Sequence, residues 1–307
     1  MAKSAPFITT GAAVLALALT GCAAGSPTTT VPQAALGHVH GLGFDPDSGG
    51  TYAATHNGVW LLPTEQLPAS YPSQEAASIG APRKVGGHTQ DTMGFTVADG
   101  GELFASGHPG PDDQEDLGDP LGLVRSTDRA NSWETVSLAD VVDFHDLDAV
   151  PLPGGELRVY GYDATAGVVR VSDDGGANWQ QNAAIELRDL AADAANPDRV
   201  YATTSNGFLV SDDRGATFDR VKGAPPLYLV DLLDDGGGFV GVDVTGQLWS
   251  SDSRSWVKHG MVEGTPEALT SVTGDDGEHW ILIADARGIV ATSDFGETVT
   301  VLTTNGG

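Results

Sequence analysis

One short unit recurs along the chain and limits the fold more than any other feature. It reads Gly, a few strand-forming residues, then Ser/Thr-x-Asp-x-Gly-x-x-aromatic. Copies begin at Gly122 (Ser126, Asp128, Trp133), Gly167 (Ser172, Asp174, Gly176, Trp179) and Gly207 (Ser211, Asp213, Gly215, Phe218). Two more begin at Gly246 (Ser250, Asp252, Trp256) and Gly288 (Thr292, Asp294, Gly296, Val299). The Ser/Thr positions are 46, 39, 39 and 42 residues apart, and Gly58-Val59-Trp60 is a reduced first copy without the Asp. Residues 38–307 number 270, which is six units of 45. A period of this length with four short strands per unit predicts an all-β, six-bladed β-propeller of antiparallel strands. Blade 4 is expected at 187–192, 199–203, 207–211 and 218–222, and blade 6 at 269–273, 280–284, 288–292 and 299–303.

The Ser-x-Asp-x-Gly-x-x-Trp unit resembles the Asp-box, or BNR repeat, of sialidase-like, glycosylhydrolase-type propellers. Near-matches in register cover most of the chain beyond residue 38. The resemblance implies structural roles for Asp128, Asp174, Asp213, Asp252 and Asp294 in the turns between the third and fourth strands. An Asp there accepts backbone N–H groups, Gly supplies positive φ, and the aromatic packs between blades. It also implies an alternative activity, a sialidase-like glycoside hydrolase. That family grips a sugar carboxylate with three Arg, and uses a Tyr nucleophile with a Glu partner and an Asp acid/base. Here the first expected Arg is replaced by His38-Val39-His40, and the top-face candidates are Arg188 and Arg287, with Tyr228, Glu186 and Glu267 nearby.

The N-terminus reads as an address. Residues 1–21 carry Lys3, an apolar run from Gly11 to Leu19 and then Leu19-Thr20-Gly21-Cys22. The run fits a secretory signal and is too short for a stable bilayer span. The tetrapeptide resembles a bacterial lipobox, which implies lipidation of Cys22, the one Cys of the chain, and a membrane-anchored, extracytoplasmic lipoprotein. Residues 22–37, rich in small residues, Pro and Thr, read as a flexible tether, and 38–307 as the propeller. Against 15 Lys and Arg stand 42 Asp and Glu, a net charge of −27. So negative a surface repels phosphate backbones and excludes nucleic acid as a partner. A monomer is expected.

The histidines then point to a site. In a blade the innermost strand and the loop between the second and third strands meet at the top, around the channel. His38 and His40 open the first inner strand, and His56 lies in the top loop of that blade. His88 precedes the second inner strand, His108 is in that blade's top loop, and His145 opens the third. Only His259 and His279 fall elsewhere. Aligning inner-strand starts puts His40, Asp91, His145, Arg188, Val230 and Thr270 at one ring position. Neutral imidazoles converging with a carboxylate suit a divalent transition metal such as zinc or copper. The expected ligands are His40, His88, Asp91, His108 and His145, with His38 and His56 as second choices. Asp146 and Asp163 could orient the imidazoles, and Met93 could soften the site towards copper. The acidic segment 112–119 would lie over the same rim. Asp45-Pro46-Asp47 reads as an ordinary turn rather than a calcium loop. Three functions stay open: metal or small-ligand binding, glycoside hydrolysis, and a scaffold for a protein partner.

Overall fold

The computed structural model describes residues 1–2, 36–72, 80–111, 113, 117–233, 238–251, 255–274 and 276–304. The chain divides into two units, Met1–Pro32 and Gln33–Gly307. Cys22, nearly all of the leader and tether, and Asp252 lie outside the described residues. Among the described residues there is no helix. The second unit is a six-bladed β-propeller of four-stranded antiparallel sheets.

Blade 1 is β1 (Val39–Asp45), β2 (Gly50–Thr55), β3 (Gly58–Leu61) and β4 (Arg83–Lys84). Blade 2 is β5 (Asp91–Val97), β6 (Leu103–His108), β7 (Leu123–Ser126) and β8 (Glu134–Ser137). Blade 3 is β9 (Phe144–Pro151), β10 (Leu157–Asp163), β11 (Val168–Ser172) and β12 (Gln180–Ala184). Blade 4 is β13 (Asp189–Ala192), β14 (Val200–Thr204), β15 (Gly207–Ser211) and β16 (Asp219–Arg220). Blade 5 is β17 (Leu227–Leu233), β18 (Gly238–Asp243), β19 (Gln247–Ser251) and β20 (Trp256–Met261). Blade 6 is β21 (Ala268–Thr273), β22 (His279–Asp285), β23 (Gly288–Thr292) and β24 (Thr300–Thr303). Every blade is contiguous in sequence, and its first strand is innermost, in contact with the first strands of both neighbours.

The turns that carry the repeat share one hydrogen-bond pattern. The Ser172 hydroxyl donates to Asp174 Oδ1 at 2.8 Å and accepts the Gly176 N–H at 2.8 Å, while Asp174 Oδ1 accepts the Asn178 N–H at 2.8 Å. The same bonds recur at Ser126/Asp128, Ser211/Asp213 and Thr292/Asp294. Each Asp is thus spent within its own turn, which makes these residues structural.

The core lies between blades. Phe104, Leu123, Phe144 and Leu147 fill the seam between blades 2 and 3, and Phe208, Phe239 and Trp256 pack between blades 4 and 5. Leu42, Trp60, Trp280 and Leu282 close blade 6 on blade 1. Alternating strand residues face opposite seams, so each sheet is apolar on both faces, as its buried runs require.

Carboxylates add a second kind of link. In β9, Asp146 Oδ2 accepts the Leu190 N–H of blade 4 at 2.5 Å, and Asp148 Oδ2 accepts that of Ala192 at 2.7 Å. Asp189 accepts the Val230 N–H of blade 5 at 2.7 Å, and Asp231 the Ser271 N–H of blade 6 at 2.6 Å. Glu267, just before β21, accepts the Val39 N–H of blade 1 at 2.9 Å. Four of the six seams are joined this way. Among the described residues, those between blades 1 and 2 and between blades 2 and 3 are not.

Candidate metal centre

The two seams without carboxylate–amide links are where the histidines gather. β-Bulges aim them. In β1 the pairing with β2 skips His40, and in β9 the pairing with β10 skips His145. The extra residue of a bulge leaves the ladder and turns its side chain off the regular alternation. Met93 in β5 and Tyr228 in β17 are bulged likewise. This corrects the ring alignment read from the sequence. Met93 and Tyr228, not Asp91 and Val230, match His40 and His145. Asp91 then corresponds to His38 and to Asp143, each two residues before a bulge.

His38, His40 and His56 form one group, with ligand nitrogens all within 4.8 Å of one another. His40 Nε2 lies 3.3 Å from His56 Nδ1. His56 Nδ1 is 2.6 Å from Asp91 Oδ1, which is 3.7 Å from His40 Nε2. Asp91 belongs to blade 2, so this contact spans the first unlinked seam. The His40 side chain is 11% exposed, against 44% for His38 and 47% for His56. One ligand is therefore anchored in the channel wall and two open to solvent, which leaves a path for entry. Gly107 lets β6 approach closely here: its φ is +136°, and a Cβ would lie 1.9 Å from the Asp91 carbonyl oxygen.

Burial, and then the charges of His38, His56, Arg188 and His145, lower the pKa of His40 to about 3. The ring is thus neutral at ordinary pH, with a lone pair free of proton competition. The cavity below, lined by His40, Arg188 and Glu267 at the mouth and by Asp148 and Asp231 deeper in the channel, measures about 90 Å³. That is room for an ion and a few waters.

The other expected ligands sit apart from this triad. His108 Nδ1 meets Asp119 Oδ1 at 2.6 Å, and its Nε2 lies 3.5 Å from Asp143 Oδ2. His145 Nε2 is 2.7 Å from the same Asp143 oxygen. His88 faces Asp113 at 3.7 Å and meets none of the other imidazoles described. Asp113 also ties down the loop by accepting the N–H groups of Thr89 and Gly110. Of the acidic segment, Asp112, Glu115 and Asp116 lie outside the described residues. His259 of β20 packs on Phe295 in the turn between β23 and β24, and His279 lies beside Thr273.

Two expectations fail on contact. Asp146 does not orient an imidazole but spends its carboxylate on the Leu147 and Leu190 amides. Asp163 pairs with Arg170 and caps the Ala166 N–H. Sequence reasoning missed Asp143. Its signal was present, two residues before His145, as Asp91 is before Met93, but the bulge hid the register.

Arg188, Tyr228 and Glu267 do meet at the channel mouth. Arg188 lies over the Tyr228 ring at 5.1 Å and donates to the Glu267 carbonyl at 2.8 Å. Arg287 is instead held by both oxygens of Asp285, and Glu186 is exposed between β12 and β13. Among the described residues, a three-arginine grip on a sugar carboxylate is therefore missing from this mouth.

No protein-family model and no curated protein matches the sequence. Solved structures do. A GH74 enzyme from Niastella koreensis is 15% identical with a TM-score of 0.56, covering 87% of this chain and 38% of that one. A gluconolactonase from Xanthomonas campestris is 11% identical with a TM-score of 0.59, covering 83% and 86%. A nidogen/laminin complex is 13% identical with a TM-score of 0.58, covering 81% and 90%. This chain spans about two fifths of the length of the GH74 enzymes it resembles. At these identities the likeness speaks for the fold alone: the chain has a β-propeller fold like that of glycosylhydrolases.

Proposed function

We propose that this protein is a membrane-tethered, extracytoplasmic propeller that binds a divalent transition metal, zinc or copper, through His38, His40, His56 and Asp91. The observation that carries the reading is the 3.3 Å approach of two imidazole nitrogens within a three-histidine group. Ligands about 2.0–2.1 Å from a tetrahedral ion stand about 3.3–3.4 Å from one another. Two ring nitrogens gain little from such an approach unless a proton or a metal ion lies between them. Three nitrogens and one oxygen suit zinc or copper(II), and half-buried Met93 at the neighbouring bulge leans the choice towards copper.

The test is calorimetric titration of full-length protein, purified without a polyhistidine tag, with zinc and with copper(II). Wild type is expected to bind tightly. His40→Ala and the double variant His38→Ala/His56→Ala are each expected to lose affinity for the equivalent held by the triad at least about 100-fold, since removing a ligand costs several kcal/mol. Equal affinity in all three proteins would reject the site.

The tether is supported by the lipobox-like Leu19-Thr20-Gly21-Cys22. Membrane fractionation with mass spectrometry is expected to find a diacylglyceryl adduct at Cys22, and Cys22→Ser protein in the soluble fraction. An unmodified Cys22 in the mature protein would remove the anchor.

The glycosidase reading keeps one point in its favour, the meeting of Arg188, Tyr228 and Glu267. Hydrolysis of a chromogenic glycoside by wild type, lost in Tyr228→Phe, would establish it.

A further inference from the structure

The contact from a top-loop histidine to the carboxylate before a bulge is repeated, one blade further round. At the first seam, His56 of blade 1's top loop reaches Asp91, two residues before the bulge of blade 2. At the second, His108 of blade 2's top loop reaches Asp143, two residues before the bulge of blade 3. In blade 3 the bulged residue is itself a histidine, His145, and it turns back onto Asp143. The same loop-to-bulge geometry thus brings two imidazoles to one carboxylate oxygen.

We propose that His108, Asp143 and His145 form a second divalent-metal site at the seam between blades 2 and 3, distinct from the triad and available to zinc or copper(II). Three observations support it. First, both imidazoles reach one carboxylate oxygen, and one pair is at coordination spacing: His108 Nε2 is 3.5 Å from Asp143 Oδ2, against about 3.3–3.4 Å for the edge of a tetrahedral site. His145 Nε2, at 2.7 Å, needs to move out by roughly 0.6 Å to share the ion at that spacing. Its side chain is 41% exposed, so nothing tight resists the shift.

Second, Asp119 Oδ1 holds His108 Nδ1 at 2.6 Å, fixing the tautomer that presents Nε2 to the ion. A carboxylate behind a ligating imidazole is the usual support of such sites. Third, Asp143 Oδ1 is buried and has no hydrogen-bond partner among the described residues. A buried carboxylate oxygen without a donor costs of the order of 1–3 kcal/mol. A cation drawn to that carboxylate offsets the deficit.

This inference rests on its own residues rather than on the triad, so the two sites can fail separately. Full-length protein is titrated with zinc and, in parallel, copper(II), with stoichiometry read by calorimetry and elemental analysis. Wild type is expected to bind two equivalents. His108→Ala/His145→Ala is expected to bind one, and His38→Ala/His56→Ala also one, held by the remaining site. Copper(II) spectra of the two variants are expected to differ, with two imidazoles on the ion in one and three in the other. All four substituted side chains are at least 41% exposed, so the fold is expected to survive, which far-ultraviolet circular dichroism checks. Wild-type stoichiometry in His108→Ala/His145→Ala would overturn the second site. A single equivalent lost only in that variant would retain it and overturn the triad instead. Absence of binding in wild type would overturn both.

Discussion

Phe144→Ala is expected to destabilise the protein by about 4 kcal/mol, from the loss of a large buried ring and the cavity left behind. The ring is fully buried, packs on Trp179 at a centroid distance of 4.8 Å with a 34° tilt, and fills the space that Gly161 leaves open. A Cβ on Gly161 would lie 2.5 Å from the ring. Neighbouring inner strands are fixed by their bulges and hydrogen bonds, so they cannot collapse into the gap. Phe144→Leu keeps most of the volume and is expected to cost about 1–2 kcal/mol. Urea unfolding monitored by tryptophan fluorescence measures both. A loss below about 1 kcal/mol for the alanine variant would show that the blade 2–blade 3 seam is not held by packing. Phe144 also stands between Asp143 and His145, so the alanine variant should loosen that pair.

Acidification from about pH 8 to about pH 5 is expected to raise stability, the reverse of ordinary acid denaturation. Desolvation among the inner strands raises the pKa of Asp148 to about 6 and of Asp231 to about 7, against the pull of their backbone N–H partners. It raises Asp189 to about 6 against the nearby Arg188 charge, and it also raises Asp146, which Asp189 pushes further up. The folded chain therefore takes up protons here that the unfolded chain, with Asp near 3.8, does not. Stability from this source is complete below the unfolded value and is lost as pH climbs through about 6 to 7. His40 works the other way: its pKa of about 3 means that folding gives up a proton below about pH 6.5.

For Asp148, Asp189 and Asp231 set against His40, full desolvation would give a net gain of about 3.5 kcal/mol, at about 1.4 kcal/mol per pH unit and group. The four carboxylates are only half-buried, because the channel admits solvent to one side, and this roughly halves the figure. A gain of about 2 kcal/mol, or roughly 4–7 °C in Tm, is expected by calorimetry in chelator-containing buffer. A Tm that stays level or falls over this range would contradict it. Asp231→Asn is expected to flatten the slope whatever its effect on absolute stability.

The fold was legible because its determinants are local. Each Ser/Thr-x-Asp turn is satisfied within about six residues, so its period survives in the sequence and gives blade number and strand order. Strand ends in blades 4 and 6 fall within one or two residues of expectation. The rim was legible as a set of residues but not as a set of partners. A bulge adds one residue without changing composition, so nothing in the letters near Asp91 or Tyr228 marks the shift in register. The carboxylate links were hidden for another reason: Asp146, Asp189 and Asp231 look like solvated charges until a neighbouring blade's amides are brought against them.

Because each described sheet takes its four strands from one contiguous stretch, each blade can complete its sheet as soon as its own residues are available. Loop-closure entropy on the scale of the whole domain then arises once, when Trp280 and Leu282 meet Leu42 and Trp60. A polypeptide emerging N-terminus first can therefore fold in instalments, leaving the meeting of its first and last wedges as the one event that must await the final blade.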